Sequence, residues 1–397
     1  MRQILIYDDE EEFREKLEAA VSEVPTLQEE FEIAVVSPSE FDDSLEGIKE
    51  RLSLFRKMGS WDDDGVILDA ADVFIVDYDL FEKDPILTGE EVAYLARCFT
   101  ECGLIIGVNQ FRKTDFDLTL KGHPESFADL NVNVTDRDSQ LSNPNLWGRD
   151  TDDFFHPWHW PAVPSHHCDF KKRVGIVREK IGEPIWKVIG FPRNQFEMLP
   201  RAVVQFLGGK NPLETTFRDF VVESGNGLRP KDTDSEDHIG DDVIARVGAA
   251  RISKWLERLV LPNQTILMDA PHLVSQYPSL LKGDSENIEI WNATARCGDY
   301  KDLGLDTDRI KDFRLKEDYW LSRPVWFWDG VRKCEDILEV REPWEAERAN
   351  WVFCEDASRF YEEDYREFVA DTEPPFSRRF VKYFERLRYA PQVRFFL

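Results

Sequence analysis

Two short apolar runs that each end in aspartate constrain this chain more than any other feature of its sequence. Residues 73–76 are β-branched or aromatic, and Asp77 and Asp79 follow them. Such a run is typical of a strand buried in a parallel sheet. A carboxylate at the carboxyl end of that strand lies where open α/β sheets bind their ligands. We therefore expect Asp77 to be the central residue of a functional site.

The start of the chain supplies a matching strand. Residues 4–6 are apolar, and Asp8 and Asp9 follow them after Tyr7. If the two strands lie parallel and adjacent, their carboxylates meet at one edge of the sheet. Like charges at close range cannot all stay ionised unless something neutralises them. Because hard oxygen ligands suit magnesium, the sequence predicts a Mg²⁺ site formed by Asp8, Asp9, Asp77 and Asp79.

The pattern around these two strands predicts the fold class. Strand-like and helix-like segments alternate as far as Asn109, and this order is the sign of a doubly wound parallel α/β sheet. Beyond Val134 the alternation stops and the patterns are mainly helical. The helices predicted there cover residues 194–207, 216–222 and 241–261.

The two acidic strand ends also resemble a known family. The segments ILIYDDE and FIVDYDL, with TGEEVAYLAR and GLIIGVN after them, resemble the receiver domain of two-component response regulators. The resemblance implies a flavodoxin-like strand order, with Asp77 as phosphoacceptor and Asp8 and Asp9 as the acid pair that binds magnesium. It places Asp79 where a backbone carbonyl contacts the metal. A histidine kinase or another phosphodonor would be the partner.

Two departures from the family pattern leave other functions open. Asn109 stands at the end of the fourth strand, where the family usually has threonine or serine. The lysine expected after the fifth strand has no clean match, since Asn133 holds that place and Lys121 comes early. A docking module without phosphotransfer is therefore a second hypothesis. A third is a haloacid-dehalogenase-like phosphatase, in which Asp77 is the nucleophile and Asp79 the general acid.

Length and composition set the domain organisation and exclude some partners. The 397 residues are expected to form a receiver-like domain over 1–134, or over 1–185 if it includes its last helix, and a mainly helical domain over 170–397. A net charge of -28 argues against nucleic-acid binding, so the C-terminal half is expected to contact a protein partner. Scattered cysteines, with no signal peptide and no membrane-spanning run, predict a cytoplasmic protein.

The segment between the two domains is rich in histidine, tryptophan and proline. Residues 135–169 are interpreted as an insertion or linker, and residues 170–181 as the last helix of the receiver-like domain. The prolines at 157, 161 and 164 predict an irregular loop that packs at the domain junction. A zinc site is the alternative, because zinc accepts nitrogen and sulfur ligands. Its candidate ligands are His156, His159, His166, His167 and Cys168.

Overall fold

The structure is a computed structural model of the chain. It describes residues 2–61, 65–80, 87–109, 126–133, 147, 158, 162–223, 228, 239–262, 264–281, 285–296, 303–335, 337, 351–355, 357–362 and 379–380.

A five-stranded parallel sheet forms the N-terminal part, as the sequence predicts. The strand order is β2-β1-β3-β4-β5, with every neighbouring pair parallel. This order places the topological switch point between β1 and β3, which is where doubly wound sheets bind ligands. The strands are β1 (Arg2–Tyr7), β2 (Phe31–Val35), β3 (Val73–Asp77), β4 (Leu104–Asn109) and β5 (Leu130–Asn133).

Four helices connect the first four strands along the chain, and their ends follow local sequence signals. The longest of them begins at Pro38, because Ser37 caps it and Glu40 accepts a hydrogen bond from the Ser37 backbone. It ends at Gly59, which adopts a φ of 75° that suits glycine. These helices are α1 (Glu11–Ser22), α2 (Pro25–Glu30), α3 (Pro38–Met58) and α4 (Gly89–Phe99).

Helix α5 (Val163–Glu179) lies against the amino ends of the strands, which the sequence did not predict. His167 Nε2 and Lys171 Nζ lie 3.0 and 2.7 Å from Asp72, the residue before β3. The His167 ring also packs edge-on against Phe31, at the start of β2. The irregular loop predicted around Pro164 is therefore wrong for residues 163–169. Proline is compatible with the first turn of a helix, where its missing N–H has no intrahelical partner.

Helix α10 (Asp241–Trp255) is the centre of the C-terminal part and packs against α4, α5 and α9. All of its residues from Val243 to Trp255 are buried. The predicted helix over 241–261 is confirmed, and its last turn is a π-helix over Leu256–Val260. The helix predicted over 194–207 is divided by Pro200 into two. The other helices of the C-terminal part are α6 (Ile185–Val188), α7 (Arg193–Phe196), α8 (Arg201–Gln205), α9 (Phe217–Glu223), α11 (Ala270–Gln276), α12 (Ser285–Arg296) and α13 (Trp328–Val331).

Short strands complete the C-terminal part, so it is not helical throughout. One pair is antiparallel and a second sheet has three strands. Trp291, Trp320 and Trp326 are buried here and contribute large apolar areas to the core. The strands are β6 (Leu267–Asp269), β7 (Val325–Phe327), β8 (Trp351–Cys354), β9 (Arg359–Glu362) and β10 (Arg379–Phe380).

Within the described residues, we find no helix with the length and apolar character needed to span a bilayer.

Candidate functional site

The candidate site lies at the carboxyl ends of β1 and β3. Asp77 is the last residue of β3, and Asp8 follows β1 directly. The two strands are parallel neighbours, with Tyr7 opposite Val76, so the register brings Asp8 beside Asp77. The site therefore forms at the switch point of the sheet, and two separate parts of the sequence build it.

Three carboxylates converge at this point. One carboxylate oxygen from each of Asp8, Asp9 and Asp77 lies within 4.8 Å of the other two. Asp8 and Asp77 are 2% and 1% exposed, while Asp9 is half-buried. Among the described residues, this is the one group of three or more acidic, histidine or cysteine side chains close enough to share an ion. The sequence prediction that these three aspartates lie together is confirmed.

Burial and mutual repulsion make the charged form of this group unfavourable. Burial, together with the neighbouring charges of Asp8 and Asp9, raises the pKa of Asp77 to about 8. Burial raises the pKa of Asp8 to about 7, although the backbone N–H of Glu10 opposes this by donating to its carboxylate. A cation placed among the three oxygens would reverse both effects. A donor set made only of carboxylates fits Mg²⁺, which prefers hard oxygen ligands.

Asp79 lies near the cluster of Asp8, Asp9 and Asp77, but its carboxylate is not part of that cluster. The Asp79 backbone N–H donates to Asp77 Oδ2 at 3.1 Å, which fixes the orientation of that carboxylate. The charge of Asp79 contributes to the raised pKa of Asp77. Asp79 also forms a β-bridge with Thr88, so the chain returns to the site just before α4 begins. The predicted role of Asp79 as a metal ligand stays a prediction.

Gly89 allows the first turn of α4 to touch the site. Its backbone N–H donates to the Tyr78 carbonyl at 2.8 Å. A Cβ atom at this position would lie 2.2 Å from the Asp77 carbonyl oxygen, so any other residue would force the backbone apart. Thr88 then caps α4 by accepting a hydrogen bond from the Glu91 backbone. The position of α4 is thus tied to the conformation of Asp77.

Arg14 is a residue of the site that the sequence did not identify. Its Nη1 donates to the backbone carbonyl of Asp8 at 2.9 Å, and the side chain is 9% exposed. The charge of Arg14 lowers the pKa of Asp8, against the larger effect of burial. Arg14 lies three residues before Leu17 and seven before Val21, so helical spacing puts it on the buried face of α1. This spacing is the sequence feature that could have identified Arg14.

The other predicted residues of the phosphotransfer site are only partly described. The backbones of Asn109 and Asn133 are paired at the ends of β4 and β5, next to the end of β3. Both therefore lie at the same edge of the sheet as Asp77. Lys121 lies outside the described residues.

The candidate zinc ligands do not form one group in the described part of the chain. His166 lies 3.5 Å from the Ser322 hydroxyl, whereas His167 contacts Asp72 and Cys168 is exposed. Burial lowers the pKa of His167 to about 4, so its imidazole is neutral beside Asp72. His156 and His159 lie outside the described residues.

Comparisons with protein-family models, with curated proteins and with solved structures found no match to this chain. A function is therefore inferred from the geometry of the acidic site.

Proposed function

We propose that this chain is a receiver-like signalling protein in which Asp77 accepts a phosphoryl group. A histidine kinase or a small phosphodonor would supply that group, and a protein partner would read the result through the C-terminal half. The observation that carries the proposal is the convergence of Asp8, Asp9 and Asp77 at the switch point of a sheet with the order 2-1-3-4-5. A site of this kind combines a buried nucleophile with ligands for a hard cation.

The chemistry requires Asp77 in its ionised form. A carboxylate oxygen of Asp77 would attack the phosphorus of the donor, forming a P–O bond. The bond between phosphorus and the donor nitrogen or oxygen would break, and its electron pair would leave with the donor. Asp8, Asp9 and Asp77 would hold Mg²⁺, which supplies positive charge to a transfer of this type. The Asp79 backbone N–H keeps the nucleophile oriented.

A series of hydrogen bonds supports an output through the C-terminal half. Glu90 follows Gly89 in α4, and its carboxylate accepts bonds from the Ser126 hydroxyl and the Phe127 backbone, each at 2.6 Å. The Ser126 carbonyl in turn accepts from Arg251 and Lys254 of α10, each at 3.1 Å. A change at Asp77 that moves the start of α4 would therefore reach α10 by direct contact.

Asn109 and Asn133 favour one other function. An asparagine amide can donate a hydrogen bond but carries no positive charge. Without the usual hydroxyl and ammonium groups, phosphotransfer would be slow or weakly coupled, and the domain could act as a docking module alone. The haloacid-dehalogenase-like alternative has less support, because it leaves the buried Asp8 and its neighbour Asp9 without a role.

Incubation with acetyl phosphate and Mg²⁺, followed by intact-mass analysis, tests the proposal. We expect the wild type to gain one phosphoryl group and Asp77→Asn to gain none. Asp308→Asn changes an exposed aspartate outside the site and should behave as the wild type. If the wild type gains nothing but Mg²⁺ still raises its Tm, the docking module is favoured. If Mg²⁺ has no effect either, the metal site is wrong.

A further inference from the structure

A second cleft lies at the opposite end of the sheet from Asp77. It encloses about 370 Å³ where the segments before β3 and β4 meet α5 and α10. Asp72 and Gly103 line it from the sheet, Lys171 and Arg178 from α5, and Arg246 from α10. Its volume is within the range of small-molecule sites, which starts at roughly 300 Å³. The length of β3, about 16 Å at 3.3 Å per residue, separates it from the aspartate site.

Arg246 is the unusual residue of this cleft. Its side chain is 9% exposed, and its buried Nε has no hydrogen-bond partner among the described residues. No ion pair with a described carboxylate holds its guanidinium group. Burial lowers the pKa of Arg246, and the charges of nearby acidic residues such as Glu101 only partly oppose this. A buried charge without a partner is costly, so this position favours a ligand of opposite charge.

The two aspartates of the cleft are already paired with other groups. Asp69 accepts two hydrogen bonds from Arg51 and one from the Val66 backbone. Asp72 accepts from Lys171 and from the Gln3 backbone. Glu101 is exposed and can turn towards solvent. Each of the two aspartates therefore has its ion pair with a residue other than Arg246.

We propose that this cleft binds a small phosphorylated molecule, with Arg246 as the main contact of the phosphate group. A guanidinium group presents a planar set of donors that matches phosphate oxygens. Lys171 contacts Asp72 and Arg178 contacts Asp242, and each retains donors for a second acceptor. The ligand would touch the sheet, α5 and α10 together, so binding would stabilise the junction between the two halves of the chain. This inference does not depend on the function of Asp77.

Titration of the full chain with inorganic phosphate tests the site. The buffer contains EDTA, and the control titration uses sodium chloride at the same ionic strength. We expect phosphate to raise the Tm in a saturable way and to bind with a measurable heat. In Arg246→Gln the affinity for phosphate should fall at least ten-fold, because a neutral amide replaces the charged guanidinium group. Arg193→Gln changes an exposed arginine that does not line the cleft and should bind as the wild type.

A second variant tests the site without changing any charge. A Cβ atom at Gly175, in α5, would meet nothing within 4 Å, so Gly175→Leu fits the helix and places its side chain in the cleft. We expect it to fold and to lose phosphate binding. Equal effects of phosphate and chloride on the wild type would overturn the proposal. Unchanged affinity in both Arg246→Gln and Gly175→Leu would overturn it as well.

Discussion

Asp77 is the residue at which burial and charge conflict most strongly. Its pKa in the folded chain is about 8, above the ordinary 3.8, so the folded chain keeps a proton that the unfolded chain releases. The protonated Asp77 therefore contributes to the free energy of unfolding. This contribution is present in full below pH 3.8 and is lost as the pH rises to about 8. Asp77→Asn removes the titrating group. We predict that, without metal, the variant gains on the order of 2 kcal/mol or more relative to the wild type between pH 5 and pH 9.

Urea unfolding in EDTA at pH 5 and at pH 9 measures this difference between Asp77→Asn and the wild type. Asp308→Asn is the control. Because the Asp308 side chain is exposed, this variant should show no gain in the free energy of unfolding. Mg²⁺ at pH 9 should stabilise the wild type and leave Asp77→Asn unaffected, since a ligand stabilises only the state that binds it. Parallel pH profiles for the wild type and Asp77→Asn would contradict the prediction.

Gly89 makes a steric prediction at the same site. Gly89→Ala puts a Cβ atom 2.2 Å from the Asp77 carbonyl oxygen, and a contact this short must displace backbone. We expect a loss of roughly 1–3 kcal/mol in the free energy of unfolding, together with weaker Mg²⁺ binding. Gly175→Ala is the matched control. Its Cβ meets nothing within 4 Å, and alanine in a helix should stabilise by up to about 1 kcal/mol.

The residues of the site differ in how far the sequence could predict them. Asp8, Asp9 and Asp77 were predictable, because each follows an apolar run and parallel strands end at a common edge. Arg14 was not, since an arginine in a helical pattern is normally taken as exposed. Only the packing of α1 against the sheet shows that its guanidinium reaches the Asp8 carbonyl.

At the scale of elements, the sequence predicted what local patterns specify. The parallel strands and helices α1, α3 and α4 follow from apolar periodicity and capping residues. Helix α5 confirms the helix predicted over 170–181, but it begins earlier, at Val163, and its packing was not predicted because its contacts are distant in sequence. His167 and Lys171 contact Asp72, almost 100 residues earlier, and no periodicity reports such a contact.

The attachment of α5 to the sheet makes an element-scale prediction. Burial raises the pKa of Asp72, but hydrogen bonds from Lys171 and the Gln3 backbone lower it more, so the net shift is downward. Its contribution to stability is therefore present above the ordinary value of 3.8 and lost as the pH falls further. Asp72→Ala should cost about 2 kcal/mol at pH 7, and this cost should shrink towards pH 3.

Urea unfolding at several pH values measures the cost of Asp72→Ala. Glu197→Ala is a suitable control, because it breaks an exposed pair with Arg193 within one helical region. That change should cost less than about 0.5 kcal/mol. A cost for Asp72→Ala as small as the control would mean that α5 is held by its apolar contacts alone.

At the scale of the whole molecule, the predicted boundary at residue 134 does not coincide with a break in the core. One continuous apolar cluster runs from β1 through α10 to the segment around Trp320. A second cluster gathers Trp158, Trp291 and Phe353. The sequence showed a change of pattern beyond Val134, but a change of pattern does not show whether two segments share one core. That depends on which faces pack together.

The shared core predicts that the receiver-like part depends on α10. Residues 1–185 produced alone would lack Arg251 and Lys254, which bind the carbonyls of Ser126 and Ala128 before β5. This fragment would also expose the apolar surface of α4 that α10 covers in the full chain. We expect hydrogen exchange at β4 and α4 to be much faster in this fragment than in the full chain, because opening there would cost less free energy. Residues 1–335 keep α10 and the segment around Trp320, so this longer fragment should retain most of the protection. If residues 1–185 show the same protection and the same Tm as the full chain, the receiver-like part is an independent domain and the contacts of α10 add nothing to its stability.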